Sequence, residues 1–181
     1  MQIITPHQVA FHKEARVYAV SISFLKRITS LPEHETRGLP KYTEQYELRL
    51  YSPAYNWEAV DTYAMQDYEY ILSVEVVYLR YHVGDVKELR PYVLVGTGLQ
   101  VGEDLACTGR VRSLQCLSRG VESRAHFALQ LLIFEVVIPV SLEGEVTKPY
   151  LNFMQDQEEK GPISAVNAVQ GLIVMAIGPK V

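Results

Sequence analysis

Short apolar runs separated by turn residues recur along this chain, and no run carries a sustained helical period. That pattern constrains the fold more than any other property. Val9-Ala10-Phe11 is followed by the turn Lys13-Glu14-Ala15 and then by Val17 to Ile22, all rich in β-branched and aromatic residues. Tyr46, Leu48 and Leu50 alternate with Glu47 and Arg49, the period of a half-buried strand. Ser52-Pro53 marks a turn, and a strand containing Trp57, Ala59 and Asp61 follows. Ile71 to Leu79 predicts a longer strand, and Tyr81 to Arg90 a polar connection around Gly84-Asp85. Tyr92 to Gly96 and Leu131 to Val137 read as strands buried on both faces. Tyr150 to Phe153 predicts a strand, and Asp156 to Gly161 a charged turn. Ile163–Val169, Gln170-Gly171 and Leu172–Ile177 predict a hairpin. Thr29 to Thr43, with Pro32, Gly38 and Pro40, reads as an exposed loop. About ten strands result. At a spacing of roughly 8–12 residues they suit a sandwich, barrel or propeller.

Length and composition narrow the class further. The chain has 181 residues, enough for one domain of ordinary size, and 48% are hydrophobic, which suits a globular core. The longest apolar stretches fall well short of the ~18 residues of a spanning helix, and Met1 to Ala10 lacks the pattern of a signal peptide. Cys107 and Cys116 cannot build a disulfide framework, so a reducing compartment is expected. Lys and Arg total 17 against 21 Asp and Glu, a net charge of −4. The basic residues are scattered, except for Arg110, Arg112, Arg119 and Arg124. A phosphate-gripping face is not expected from that distribution.

Catalytic patterns are weak throughout. Gly96, Gly98 and Gly102 give GxGxxxG, one residue longer than a dinucleotide loop. No helix pattern follows to present its N-terminus to a pyrophosphate, so a strand end and tight glycine loop are expected. His7, His12, His34, His82 and His126 show no metal-ligand spacing with a cysteine. Strand parity places His7 and His12 on opposite faces. Glu33/Glu35 and Glu158/Glu159 read as solvated turns, and Cys107 has no histidine near it in sequence. No catalytic, cofactor or metal residue is assigned.

One stretch is more specific. Tyr92-Val93-Leu94-Val95-Gly96-Thr97-Gly98 runs into Gly102-Glu103 and then Cys107-Thr108-Gly109-Arg110. Thr5 to His12 with Arg16 to Val20, Leu50 to Pro53 with Trp57 to Ala59, and Glu158 to Val166 with Ala176 to Val181 accompany it in order. Together these segments resemble the family of the largest subunit of the cleavage and polyadenylation specificity factor, across nearly the whole chain. The resemblance implies an incomplete seven-bladed, WD40-like β-propeller with two to four blades present. It implies a non-catalytic nuclear scaffold without cofactors. Its implied partners are the WD-repeat and zinc-finger subunits that recognise the polyadenylation signal, with pre-mRNA contacted indirectly and no membrane or small-molecule substrate. A damaged-DNA-binding ubiquitin-ligase adaptor and a spliceosomal subunit share some landmarks and are the alternatives.

Two departures accompany the resemblance. Residues 1–181 are expected to be a fragment of one propeller, because a full ring at ~40–45 residues per blade needs about 300. An open ring leaves a bare sheet edge and an uncovered face, so instability in isolation is expected. The second departure is Val111 to Gln130, 20 residues that separate Gly109-Arg110 from the apolar strand at Leu131. A retained in-frame intron and a genuine surface insertion both account for it. In the second case Glu122 to Leu132 is expected to form a short helix, with Ala125, Leu129 and Leu132 on one face.

Overall fold

A computed structural model describes residues 3–27, 42–83, 86–99, 129–139, 148–159 and 161–178. These form ten strands and one turn of 3-10 helix, Pro53–Tyr55. The strands are β1 (Thr5–His12), β2 (Val17–Arg27), β3 (Tyr42–Tyr51), β4 (Ala59–Ala64), β5 (Glu69–Val83), β6 (Val86–Leu99), β7 (Leu129–Val137), β8 (Tyr150–Glu159), β9 (Ile163–Val169) and β10 (Leu172–Ile177). They make two four-stranded antiparallel meanders, β1-β2-β3-β4 and β5-β6-β7-β8, and the hairpin β9-β10.

The expected all-β class is present. Sequential four-stranded meanders packed face to face are compatible with part of a propeller. Among the described residues no closed ring forms.

Strand periodicity explains the packing. In β2 and β3, Val17, Ala19, Tyr46, Leu48 and Leu50 turn toward Ile71, Val74, Val93, Val95, Leu132 and Phe134 of the second sheet. The opposite face of that sheet buries Val77, Leu94 and Leu131 against Ile163 and Val166 of the hairpin. Val93, Leu94 and Val95 are each fully buried, as a strand with two covered faces requires. The second sheet is therefore the middle layer.

Specific polar contacts join the layers as well. Ser73 Oγ donates to the Ile163 carbonyl at 3.3 Å, and Leu151 N–H donates to Asp61 Oδ2 at 2.7 Å. Tyr63 of β4, Phe134 of β7 and Phe153 of β8 form one aromatic cluster.

Several expectations need correction. Tyr81 to Arg90 is not a connection, because β5 continues to Val83 and β6 begins at Val86. The ladder Leu79↔Arg90, Arg80↔Leu89 and Tyr81↔Glu88 holds this ribbon, and Arg90 lies 4.0 Å over the Tyr81 ring. Asp156 to Glu159 is likewise strand, the end of β8. Backbone pairing to β7 sets that strand, and an outermost strand tolerates charge well. Trp57 precedes β4 rather than joining it, since Asn56 and Trp57 both adopt positive φ in the turn.

The parity argument for the histidines also fails. A register shift between Pro6 and Gln8 resets β1, so His7 bonds Ser23 and stacks on Tyr46. His12 is buried beside the same core. Gly96 and Gly98 lie inside β6 rather than in a strand-end loop. Leu129 to Leu132 is strand, which removes the end of the helix expected for Glu122 to Leu132. Residues 29–41 and 111–128, including most of the expected loop and insertion, fall outside the described residues, as do Cys107 and Cys116.

Candidate functional site

The first strand of each sheet, β1, β5 or β9, leaves one backbone edge without a strand partner. These three strands lie side by side, and the edge of β5 sits in a groove between the other two. One part of the groove encloses about 350 Å³ beside Gln8, Val9, Ser73, Glu75, Ser164 and Val166. The next part, about 290 Å³, is lined by Tyr78, Leu89, Asn167, Ala168, Gln170 and Gly171.

The groove is anchored at both ends. Gln8 Nε2 donates to the Leu72 carbonyl at 2.8 Å, and Arg80 N–H donates to the Gly171 carbonyl at 3.2 Å. Gly171 has φ of +77°, and a Cβ there would meet the Arg80 side chain at 2.5 Å. Only glycine brings the β9–β10 turn this close to β5. Tyr78 donates its hydroxyl to Glu14 at 2.5 Å, tying the β1–β2 turn to the same region. That donation holds the Glu14 carboxyl below its usual range and pushes the Tyr78 hydroxyl up.

His12 lies beneath that turn. Its Nδ1 accepts the Ala15 N–H at 3.1 Å, and its buried Nε2 has no geometrically sound partner. Burial pushes the imidazole below its ordinary 6.5, against the opposing influences of Glu14 and the Pro91 carbonyl. Folding therefore favours neutral His12. As pH falls below 6.5 the unfolded chain gains a proton that the folded chain resists. Stability is expected to decline through that window and to be level above it. His12→Asn, which can still accept the turn N–H, should flatten this part of the pH profile in urea titrations. Parent and variant profiles of equal slope would refute the assignment.

Among the described residues no catalytic constellation is assembled. Among the described residues no group of three or more His, Cys, Asp or Glu could hold a metal. His7 is engaged with Ser23 at 2.8 Å and His12 with its own turn. Gly96 and Gly98 face close neighbours rather than a ligand, with Ser73 Oγ, the Ile163 carbonyl and Leu72 all within 3 Å of where a Cβ would stand. Three of the described cations stand beside acids: Lys26 with Asp67, Arg49 with Glu47, and Arg90 with Glu88. Sequence reasoning missed the groove because its edge is made of backbone groups, which no residue type announces. The unprotected run Val74 to Tyr78 was its one legible sign.

Comparison with known families places the chain. The family described as the CPSF A subunit region matches residues 45–181. The chain belongs to the CPSF A subunit family. A relative from Oryza sativa subsp. japonica, named probable cleavage and polyadenylation specificity factor subunit 1, is 29% identical over 199 residues. Cleavage and polyadenylation specificity factor subunit 1 of Drosophila melanogaster is 25% identical over 192 residues. Each alignment covers 98% of this chain and 12% of the relative. Protein cft1 of Schizosaccharomyces pombe is 27% identical over 183 residues, covering 96% of the chain and 11% of that protein. The chain thus spans about an eighth of the length of these relatives. The names of the two specificity-factor relatives describe a component of a specificity factor rather than an enzyme. The resemblance read from the sequence motifs and the family match agree.

Proposed function

We propose that this chain contributes to a non-catalytic nuclear scaffold subunit of the complex that recognises the polyadenylation signal during pre-mRNA 3′-end cleavage and polyadenylation. The observation that carries the reading is the family match over residues 45–181, together with relatives aligned over nearly the whole chain. The partners are the WD-repeat and zinc-finger subunits of that complex, and pre-mRNA is held through them. Indirect RNA contact accords with the acidic balance and with the pairing of Lys26, Arg49 and Arg90 to carboxylates. Residues 1–181 supply part of one propeller, and the scaffold role needs surfaces and edges rather than a reactive centre.

Affinity purification of the tagged chain from nuclear extract tests this. Recovery of polyadenylation subunits is the expected result. Recovery of a cullin scaffold or of spliceosomal subunits instead would transfer the chain to one of the two related branches and overturn the proposal.

A further inference from the structure

Backbone groups alternate in direction along a strand. Arg80 N–H points out of the second sheet to reach Gly171, so the N–H and C=O groups of Tyr78, Val76 and Val74 point the same way. At the far end Leu72 presents its carbonyl to Gln8 on that side, across the register shift between Ile71 and Ser73. Between these two anchors, no described backbone group bonds across the edge at Val74, Val76 or Tyr78.

This edge differs from the others of its kind. β1 carries Pro6 and a register shift, two devices that blunt strand addition. Val74-Glu75-Val76-Val77-Tyr78 has no proline, glycine or lysine, and its residues favour extended backbone. Among the described residues, β5 alone has a neighbouring first strand on each side. Gln8 and Val9 form one wall of its groove and Ser164 to Ala168 the other. Glu75 is exposed in the groove and has no ion pair among the described residues. The side chains around it, Gln8, Ser73 and Ser164, are neutral.

We propose that an extended peptide segment of about five residues, carrying a lysine or arginine opposite Glu75, docks along Val74–Tyr78 of β5 as an added strand. Alternating donors and acceptors at strand spacing match a peptide backbone. The Glu75 carboxylate favours a cationic side chain and disfavours a phosphate backbone. At about 3.3 Å per residue such a segment covers about 16 Å, the length of Val74–Tyr78, and so fits between the Leu72 and Arg80 anchors. This site does not depend on the proposed place in 3′-end processing.

The test uses the folded 181-residue chain on a soluble carrier, with circular dichroism as the check of folding. The probe is a fluorescein-labelled pentapeptide, Thr-Val-Lys-Val-Thr, followed by anisotropy. Saturable binding is expected, together with protection of the Val74, Val76 and Tyr78 amides from hydrogen exchange. N-methylation of alternate peptide amides should abolish it. Val76→Pro removes an outward N–H while sparing the β6 ladder, and should weaken binding at least about tenfold, as should Glu75→Lys. If Val76→Pro does not fold, the N-methylated peptide and Glu75→Lys decide. Absence of peptide binding, equal binding of the N-methylated peptide, or indifference to Glu75→Lys would each overturn the proposal. So would an oligouridine that displaces the peptide from the groove.

Discussion

Gly96→Val is expected to destabilise the fold by about 4 kcal/mol, from overpacking and from the loss of a buried hydrogen bond. A Cβ at this position would stand 2.3 Å from Ser73 Oγ, 2.6 Å from the Ile163 carbonyl oxygen and 2.7 Å from the Ile163 side chain. Ser73 could rotate away, but it would then release the carbonyl that it holds between β5 and β9. The carbonyl is backbone and moves only if the hairpin moves with it. The second sheet and the β9–β10 hairpin would separate, and Leu94, Leu131, Ile163 and Val166 would lose contacts. Urea denaturation of parent and variant chains measures the effect. Gly96→Ala in a Ser73→Ala background sharpens the test. It should recover only the part owed to the hydroxyl, since the Ile163 carbonyl still blocks the site. Full recovery would show that the sheet spacing is not set here.

Phe134→Ala is expected to cost about 3–5 kcal/mol, the usual range for a truncated buried aromatic. Phe134 is fully buried in β7. Its ring meets Tyr63 edge-on at 4.7 Å and Phe153 at 5.7 Å. Tyr63 belongs to β4 of the first sheet, so this ring fastens the outer parts of the two meanders together. Phe134→Leu keeps most of the volume and should cost under about 1.5 kcal/mol. Phe153, 42% exposed, should show a smaller loss on truncation than Phe134. A Phe153→Ala effect as large as that of Phe134→Ala would contradict this account of the cluster.

Most of the strands were legible because two-residue alternation is a local property. Tyr46, Leu48 and Leu50 bury together as their spacing requires, and Val93 to Val95 are covered on both faces. The hairpin Ile163–Val169 with Leu172–Ile177 follows from its Gln170-Gly171 turn. The misread segments fail for physical reasons. Tyr81 to Val83, Val86 to Arg90 and Asp156 to Glu159 are polar strand, and cross-strand backbone pairing keeps them extended without apolar alternation. The faces of His7 and His12 depend on a register shift, and shifts are set by the partner strand. Gly96 reads in the sequence as a strand-end glycine loop because sequence shows the missing side chain and not the neighbour that occupies its space.

The candidate site was legible only in outline. Sequence patterns argued against catalytic machinery and singled out the motifs that place the chain in its family. Nothing local in Gln8, Glu75 or Ser164 indicates that they share one groove, because they come from three different sheets.

The all-β class, the rough order of strands, the acidic balance and the family are all legible in the residues, since each rests on residue type and short-range spacing. The tertiary structure decided which glycine is a spacer, which histidine is buried and which strand edge stays open. Those outcomes depend on what lies across a sheet interface, and residues distant in the chain meet there only after the sheets have packed.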